Sequence, residues 1–355
     1  MSFDFNAAVH SPHRMQPGLR RLAPGAFQLT PSVVPHRGAA RHLREKLAVL
    51  WAFREQALLC VPGFDAGLAL QALAAHAAAE HPDALRIVGD GPGPAPWQAC
   101  WQAPWLGWAL DEDDQPHDIG TGWPEIGTLL QQMPREWRRT ALLSLAFAED
   151  FAVLDGATGT LPWLAVALPS MWAPEDKVGR HFTAVHAPVA DNQLIVDAAP
   201  QLIKLTTTLV TQADRWERFV WTLTAHPRLH GHPRRVDPAR WPTGLDDDEL
   251  AAQTWWRTER QTFIPVPAAA DAAQQAVFTI LVNVTPLASA FAQPAEAGRV
   301  HDALASMSDA VLAYRGLGAV RGGLLRWLAR QAAGSGTPPQ ATASRATTPQ
   351  AAAAP

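Results

Sequence analysis

The stretch Leu168-Pro169-Ser170-Met171-Trp172-Ala173-Pro174-Glu175-Asp176-Lys177-Val178-Gly179-Arg180 constrains this chain more than any other. An apolar run from Trp163 to Leu168 enters it, two prolines punctuate it, and a second apolar segment delivers His186 two residues before Pro188. Proline fixes its own φ and biases the preceding residue toward extended backbone, so the chain direction is set on both sides of a short polar and aromatic turn. Such punctuation marks a site rather than a linker.

The 355 residues are 48% hydrophobic, enough for a substantial core in one large or two modest domains. Basic and acidic residues number 29 and 33, and no Lys/Arg block tracks a phosphate backbone, so nucleic acid is not an expected partner. No run approaches the ~20 apolar residues of a membrane span. The start, Met1-Ser2-Phe3-Asp4-Phe5, lacks a basic region followed by an apolar one, and the expectation is a cytoplasmic protein with no membrane partner. Cys60 and Cys100 are the only cysteines, which excludes a four-thiolate zinc or cubane iron–sulfur site within the chain.

Residues 1–40 carry repeated Pro and Gly and are expected to wrap a surface. Helices are expected over Ala39–Leu59, Asp65–Glu80, Glu125–Ala148 with a break at Pro134, Ile203–Leu223, His301–Tyr314 and Gly318–Gln331. Strands are expected over Phe151–Leu154, Leu164–Leu168 and Val277–Val284. The glycines and prolines of Gly89–Pro96 do not make a phosphate loop, because the prolines remove amide donors and no Lys-Ser/Thr follows. Beyond Ala333 the Gly/Ser/Thr/Pro/Ala/Gln composition predicts disorder. The division is then a 1–40 wrapping segment, a 41–332 domain and a 333–355 tail. Helices around a few short strands read as α/β or α+β.

The Leu168–Arg180 stretch followed by His186-Ala187-Pro188-Val189 resembles the signature of the haem-dependent oxidative N-demethylase family. Further likenesses are Glu149-Asp150-Phe151-Ala152-Val153-Leu154, Arg257 to Pro267, Val277 to Ile280, Gly18 to Leu22, Lys46 and Tyr314-Arg315-Gly316-Leu317, so the resemblance spans Gly18 to Leu328. It implies a PAS-like haem-binding core with flanking helices and haem b as cofactor. The implied activity is that of a monooxygenase component, an oxidoreductase that oxidises an N-methyl group of a small secondary amine with release of formaldehyde. Oxygen activation needs electrons, and the chain has no flavin or nicotinamide fingerprint, so a separate flavin or iron–sulfur reductase is the expected partner. A folate is the implied acceptor of formaldehyde. Ala190-Asp191-Asn192 stands where Pro-Gly-like residues are expected, which supports an alternative: a non-catalytic haem-binding sensor or structural paralogue.

Within that resemblance His186 is the candidate axial ligand of the haem iron, while the residues alone leave open whether it ligates iron or lines the pocket. His181, five residues earlier, faces the other way in any strand. Arg260, Lys177 and Arg180 are candidate propionate partners, the alternative for Arg260 being a surface pair of Glu259 with Arg257 or Arg260. Glu149 and Asp150 are adjacent, so only one faces inward from a strand, where it would hold a protonated amine; the alternative is a surface hinge. Trp172 would add an aromatic face to the alkylammonium. His226, His230 and His232 lie among prolines and read as a loop rather than a zinc site.

Overall fold

Three segments rich in Val, Thr, Ile, Phe and Trp form the middle of the molecule, as residues that pack well on a pleated surface do. In the computed structural model, residues 3–16, 18–35, 40–89, 99–120, 122–186, 190–191, 193, 197, 200–201, 215–236, 241–267 and 274–334 are described. The chain begins with a one-turn helix, α1 (Phe5–Ala8), capped by Asp4, and a short strand β1 (Arg20–Arg21). There follow α2 (Arg41–Ala57), β2 (Leu58–Cys60) and α3 (Gly67–Glu80). Next come β3 (Arg86–Val88), β4 (Cys100–Ala103), β5 (Trp108–Leu110) and β6 (Pro116–Asp118), then α4 (Pro124–Gln132) and α5 (Arg135–Ala146). The helical break falls at Pro134, which has no N–H and stands as the N-cap of α5.

β7 (Asp150–Asp155) and β8 (Thr160–Ala165) precede a helical turn α6 (Phe182–His186), and β9 (Trp216–Thr224), β10 (Trp255–Val266) and β11 (Gln275–Pro286) follow. Two sheets result. One is the antiparallel meander β3-β4-β5-β6; the other has seven strands in the order β1-β9-β10-β11-β7-β8-β2, with every pair antiparallel. The α2–α5 layer shares one large core with Phe151, Val153, Val277 and Ile264 of this sheet. A second core gathers Trp221, Leu223 and Trp256 against the helices Pro294–Ala305, Asp309–Tyr314 and Arg321–Ala332. Each fully buried Leu or Ile in such cores contributes ~1.5–3 kcal/mol relative to an exposed one.

Several expectations are corrected. Trp216–Thr224 is a strand rather than the end of a helix from Ile203 to Leu223, and residues 202–214 lie outside the described residues. Its bulky residues pair with β10 from Glu217 opposite Thr262 to Thr224 opposite Trp255, which satisfies the backbone along the segment. β8 ends at Ala165 instead of running through Leu168, because the Asp150 carboxylate accepts the N–H groups of Ala167 (3.1 Å) and Leu168 (2.7 Å) in place of a ladder. The segment 301–314 is two helices, since Ser308 caps the second by accepting the Val311 N–H. Arg20–Arg21, in the expected wrapping segment, pairs with β9. His186 sits on a helical turn and not in a strand. Residues 335–355, expected to be disordered, lie outside the described residues, as does most of the Gly89–Pro96 loop.

Candidate functional site

Period-two alternation on the central strands puts one set of side chains on the sheet face opposite the α2–α5 core. Arg218, Val220 and Thr222 of β9, Arg257, Glu259, Gln261 and Phe263 of β10, Phe278 and Ile280 of β11, and Ala152 and Leu154 of β7 line a cavity of about 260 Å³. The register sets the rows: Gln261 lies between Arg218 and Ile280, Phe263 is opposite Phe278, and Phe278 is opposite Ala152. The far wall comes from the punctuated stretch, through Ser170, Met171, Trp172, Lys177, Phe182, Val185 and His186, and Met15, Tyr314 and Arg315 also belong to the lining. Much of the lining is apolar, and among the described residues its charged members are Lys177, Arg218, Arg257, Arg315 and Glu259.

His186 is held in this wall by α6. Its Nδ1 donates to the Phe182 carbonyl (2.9 Å), and its ring packs on Phe182 at 4.3 Å between centroids. A proton on Nδ1 places the lone pair on Nε2, the atom suited to a metal. Burial, with lesser contributions from Arg218 and Lys177, pushes the imidazolium pKa down to about 4, so the ring is neutral near pH 7. Lys177 reaches the Val185 carbonyl and ties α6 to the Pro174 turn, and burial lowers its pKa. Trp172 packs against the apolar cluster of Ala152, Leu164 and Val166. The structure thus brings His186, Lys177 and Trp172 together.

It does not bring the other expected residues there. Arg180 and His181 are exposed and outside the cavity lining, with His181 bridged to Thr160. Arg260 lies on the opposite face of β10 from Glu259, where its Nε donates to Glu217 (2.8 Å), because adjacent residues of a strand point to opposite sides. Glu149 and Asp150 are both buried yet neither lines the cavity. Glu149 accepts the Thr30 N–H (2.9 Å), and Asp150 pairs with the buried Lys46 (3.3 Å) besides holding the turn after β8. Desolvation raises the Glu149 carboxyl to about 7 and lowers the Lys46 ammonium. His230 and His232 are loop residues, the first bound to the Ala167 carbonyl and the second to Glu175.

Glu259, Gln261 and Arg218 are cavity residues that sequence reasoning missed. Glu259 accepts from Gln261 Nε2 at 2.6 Å. Arg218, whose pKa burial lowers, keeps its Nε buried without a hydrogen-bond partner among the described residues. The signal was the alternation of Arg257, Glu259 and Gln261 with Trp256, Thr258 and Arg260, and of Arg218, Val220 and Thr222 with Glu217, Phe219 and Trp221.

An apolar cavity built on an antiparallel sheet, with an imidazole and several cations in its lining, is the candidate ligand site of a chain of mixed α/β class. The model of the family described as haem-dependent oxidative N-demethylase, alpha subunit-like, matches residues 129–325, over half of the 355-residue chain. The chain belongs to that family. The match covers every strand and segment that contributes to the cavity except Met15 and Leu19 near the amino end. Among the described residues no helix is long and apolar enough to cross a membrane.

Proposed function

We propose that the cavity is a haem b site and that the chain is the haem-bearing component of a monooxygenase that demethylates a small secondary amine such as dimethylamine. The observation that carries this reading is His186, a neutral imidazole oriented through Nδ1, set in an apolar cavity that also holds the cations Lys177 and Arg218. These residues fit the group. His186 Nε2 suits the iron, Phe278, Ile280, Leu154 and Trp172 suit the macrocycle, and Arg218 and Lys177 suit the propionates, with the orphaned Arg218 Nε as a donor in want of an anion. The five central strands, counted in chain order from β7, stand in the order 2-1-5-4-3, and the wall segment carrying His186 crosses between the second and third; this order supports the PAS-like haem core we propose.

When bound, haem supplies the reductive activation of oxygen. The chain's residues hold the amine: Glu259, one oxygen engaged by Gln261, presents the cavity's carboxylate to an ammonium, and Trp172 confines it. Glu259 therefore takes the part first expected of Glu149 or Asp150. The overall reaction consumes the N-methylamine, oxygen, two electrons and two protons, and gives water and an N-hydroxymethyl amine. That product collapses to formaldehyde and the demethylated amine. The electrons come from a separate flavin or iron–sulfur reductase, in keeping with the alpha-subunit description of the family, and a folate is the acceptor we propose for formaldehyde.

Loading the purified chain with haem tests the reading. A Soret band that shifts on reduction and with carbon monoxide is expected, lost or displaced in His186→Ala but kept in His181→Ala. Dimethylamine is expected to perturb the spectrum and, with a reductase, to yield formaldehyde. Failure to retain haem at stoichiometric loading would overturn the proposal; haem binding that no N-methylamine perturbs would favour a non-catalytic sensor.

A further inference from the structure

Arg257 is among the most deeply buried cations of the molecule, 1% exposed, and among the described residues it forms no ion pair with a carboxylate. Four of its N–H groups are bound elsewhere. Nε donates to Ser170 Oγ (2.8 Å), Nη1 to the Arg228 carbonyl (3.0 Å), and Nη2 to the carbonyls of Pro169 (3.1 Å) and Leu229 (2.6 Å). One planar group therefore joins two segments that are far apart in sequence, which a rigid fork of five donors does and the three donors of a lysine reproduce only in part. The same two segments are bonded directly: Met171 N–H to the Gly231 carbonyl and Gly231 N–H to the Pro169 carbonyl, both at 2.9 Å. Their approach leaves no room for a side chain at Gly231, where a Cβ would lie 2.9 Å from the Pro169 oxygen and 3.3 Å from the Met171 nitrogen.

Between these bonds Met171 takes a φ of +63°, a left-handed conformation unfavourable for a residue other than glycine, which persists where the surroundings impose it. Ser170, Met171 and Trp172 are cavity wall. From the other side, Glu45 accepts the N–H groups of Leu229 (2.8 Å) and His230 (3.0 Å), so the segment that Arg257 grips is itself anchored to α2.

We propose that Arg257 is a positioning residue that locks the Pro169–Trp172 turn onto the Leu229–Gly231 segment, sets where Met171 and Trp172 stand in the cavity wall, and so governs which amines the cavity admits. The last clause rests on the function proposed above; the clamp itself does not. Arg257 also lines the cavity, but its Nε, Nη1 and Nη2 are engaged by the two segments, so it acts on the amine through the wall they form. A wall displaced by about 1 Å in a preorganised site is enough for a change of tenfold or more in binding or rate.

The chain's five methionines make the clamp directly observable. In the full chain labelled with [methyl-13C]methionine, Met171→Leu assigns the Met171 signal, and buried Met133 and Met307 serve as internal references. Arg257→Gln and Gly231→Ala are each expected to shift or split the Met171 signal while Met133 and Met307 stay in place, with Arg257→Lys intermediate. In the haem-loaded protein the midpoint of the dimethylamine-induced spectral change, measured per bound haem, is expected to rise about tenfold in Arg257→Gln and Gly231→Ala. A Met171 signal unmoved in both variants overturns the clamp. Should Arg257→Gln fail to fold, Gly231→Ala decides the matter alone. A moved Met171 with an amine midpoint within twofold of the parent overturns the recognition clause. If the parent protein shows no haem or amine response, the methyl spectra still decide the clamp, and the failure belongs to the proposed function.

Discussion

Two groups of polar and charged residues, one where α2 meets the start of β7 and the other on β10, meet opposite ends. In the first, Lys46, Glu149 and Asp150 are all buried, and their hydrogen bonds run to the backbone: Lys46 to the Phe147 carbonyl, Glu149 to Thr30 N–H, Asp150 to Ala167 and Leu168 N–H. In the second, Arg257, Glu259 and Gln261 project from β10 into the cavity, and only Arg257 is spent on backbone carbonyls. The difference lies in what surrounds each carboxylate and not in its chemistry. A carboxylate sealed away from the cavity is structural even where, as at Glu149 Oε1, an oxygen has no hydrogen-bond partner among the described residues, whereas one that retains an oxygen toward an apolar cavity can meet a ligand.

Removing one charge from the first group separates the two most sharply. Lys46→Met leaves Asp150 without its buried cation and is expected to lower unfolding stability by about 3–5 kcal/mol, read by denaturant titration. A loss below about 1 kcal/mol would show that backbone donors alone satisfy Asp150. The second effect is one of pH. Glu149 is held at about 7 in the folded chain against an ordinary 4.5, so the fold favours its neutral form. Its contribution is fully present below pH 4.5 and is lost as pH rises through 7, about 3 kcal/mol at most. Glu149→Gln is expected to flatten the fall in stability between pH 5 and 8, and an unchanged slope would assign that fall to other groups. The smallest effect belongs to the cavity: Glu259→Gln should weaken the dimethylamine-induced spectral change about tenfold, or ~1.4 kcal/mol, while the melting midpoint and haem occupancy hold. Equal amine response in Glu259→Gln and the parent would return the search for the amine's partner to the first group.

The expected helices over 39–59, 65–80 and 125–148 and the strand around Val277–Val284 were legible because each has a single dominant period or a proline boundary. Trp216–Thr224 was not: its first half follows a stretch with helix-like spacing, and only pairing with β10 decides between the two periods. The punctuated stretch pointed to the right neighbourhood, since Trp172, Lys177 and His186 share one wall, yet Arg180, three residues from Lys177, turns to solvent. On β10 the alternation was visible in the sequence, whereas which alternate set faces the cavity depends on packing against α2–α5 and the carboxy-terminal helices.

By itself the sequence determined the class of the chain, the proline-bounded turn that becomes the cavity wall, and its kinship with the oxidative N-demethylase family, because these depend on residue type and spacing. Only the tertiary structure decided that Arg260 turns away from the cavity, that Glu259 faces into it, and that Arg257 grips two distant segments. The physical reason is that a strand's pleat offers two faces of equal local energy, and the choice between them falls to partners that are distant in sequence.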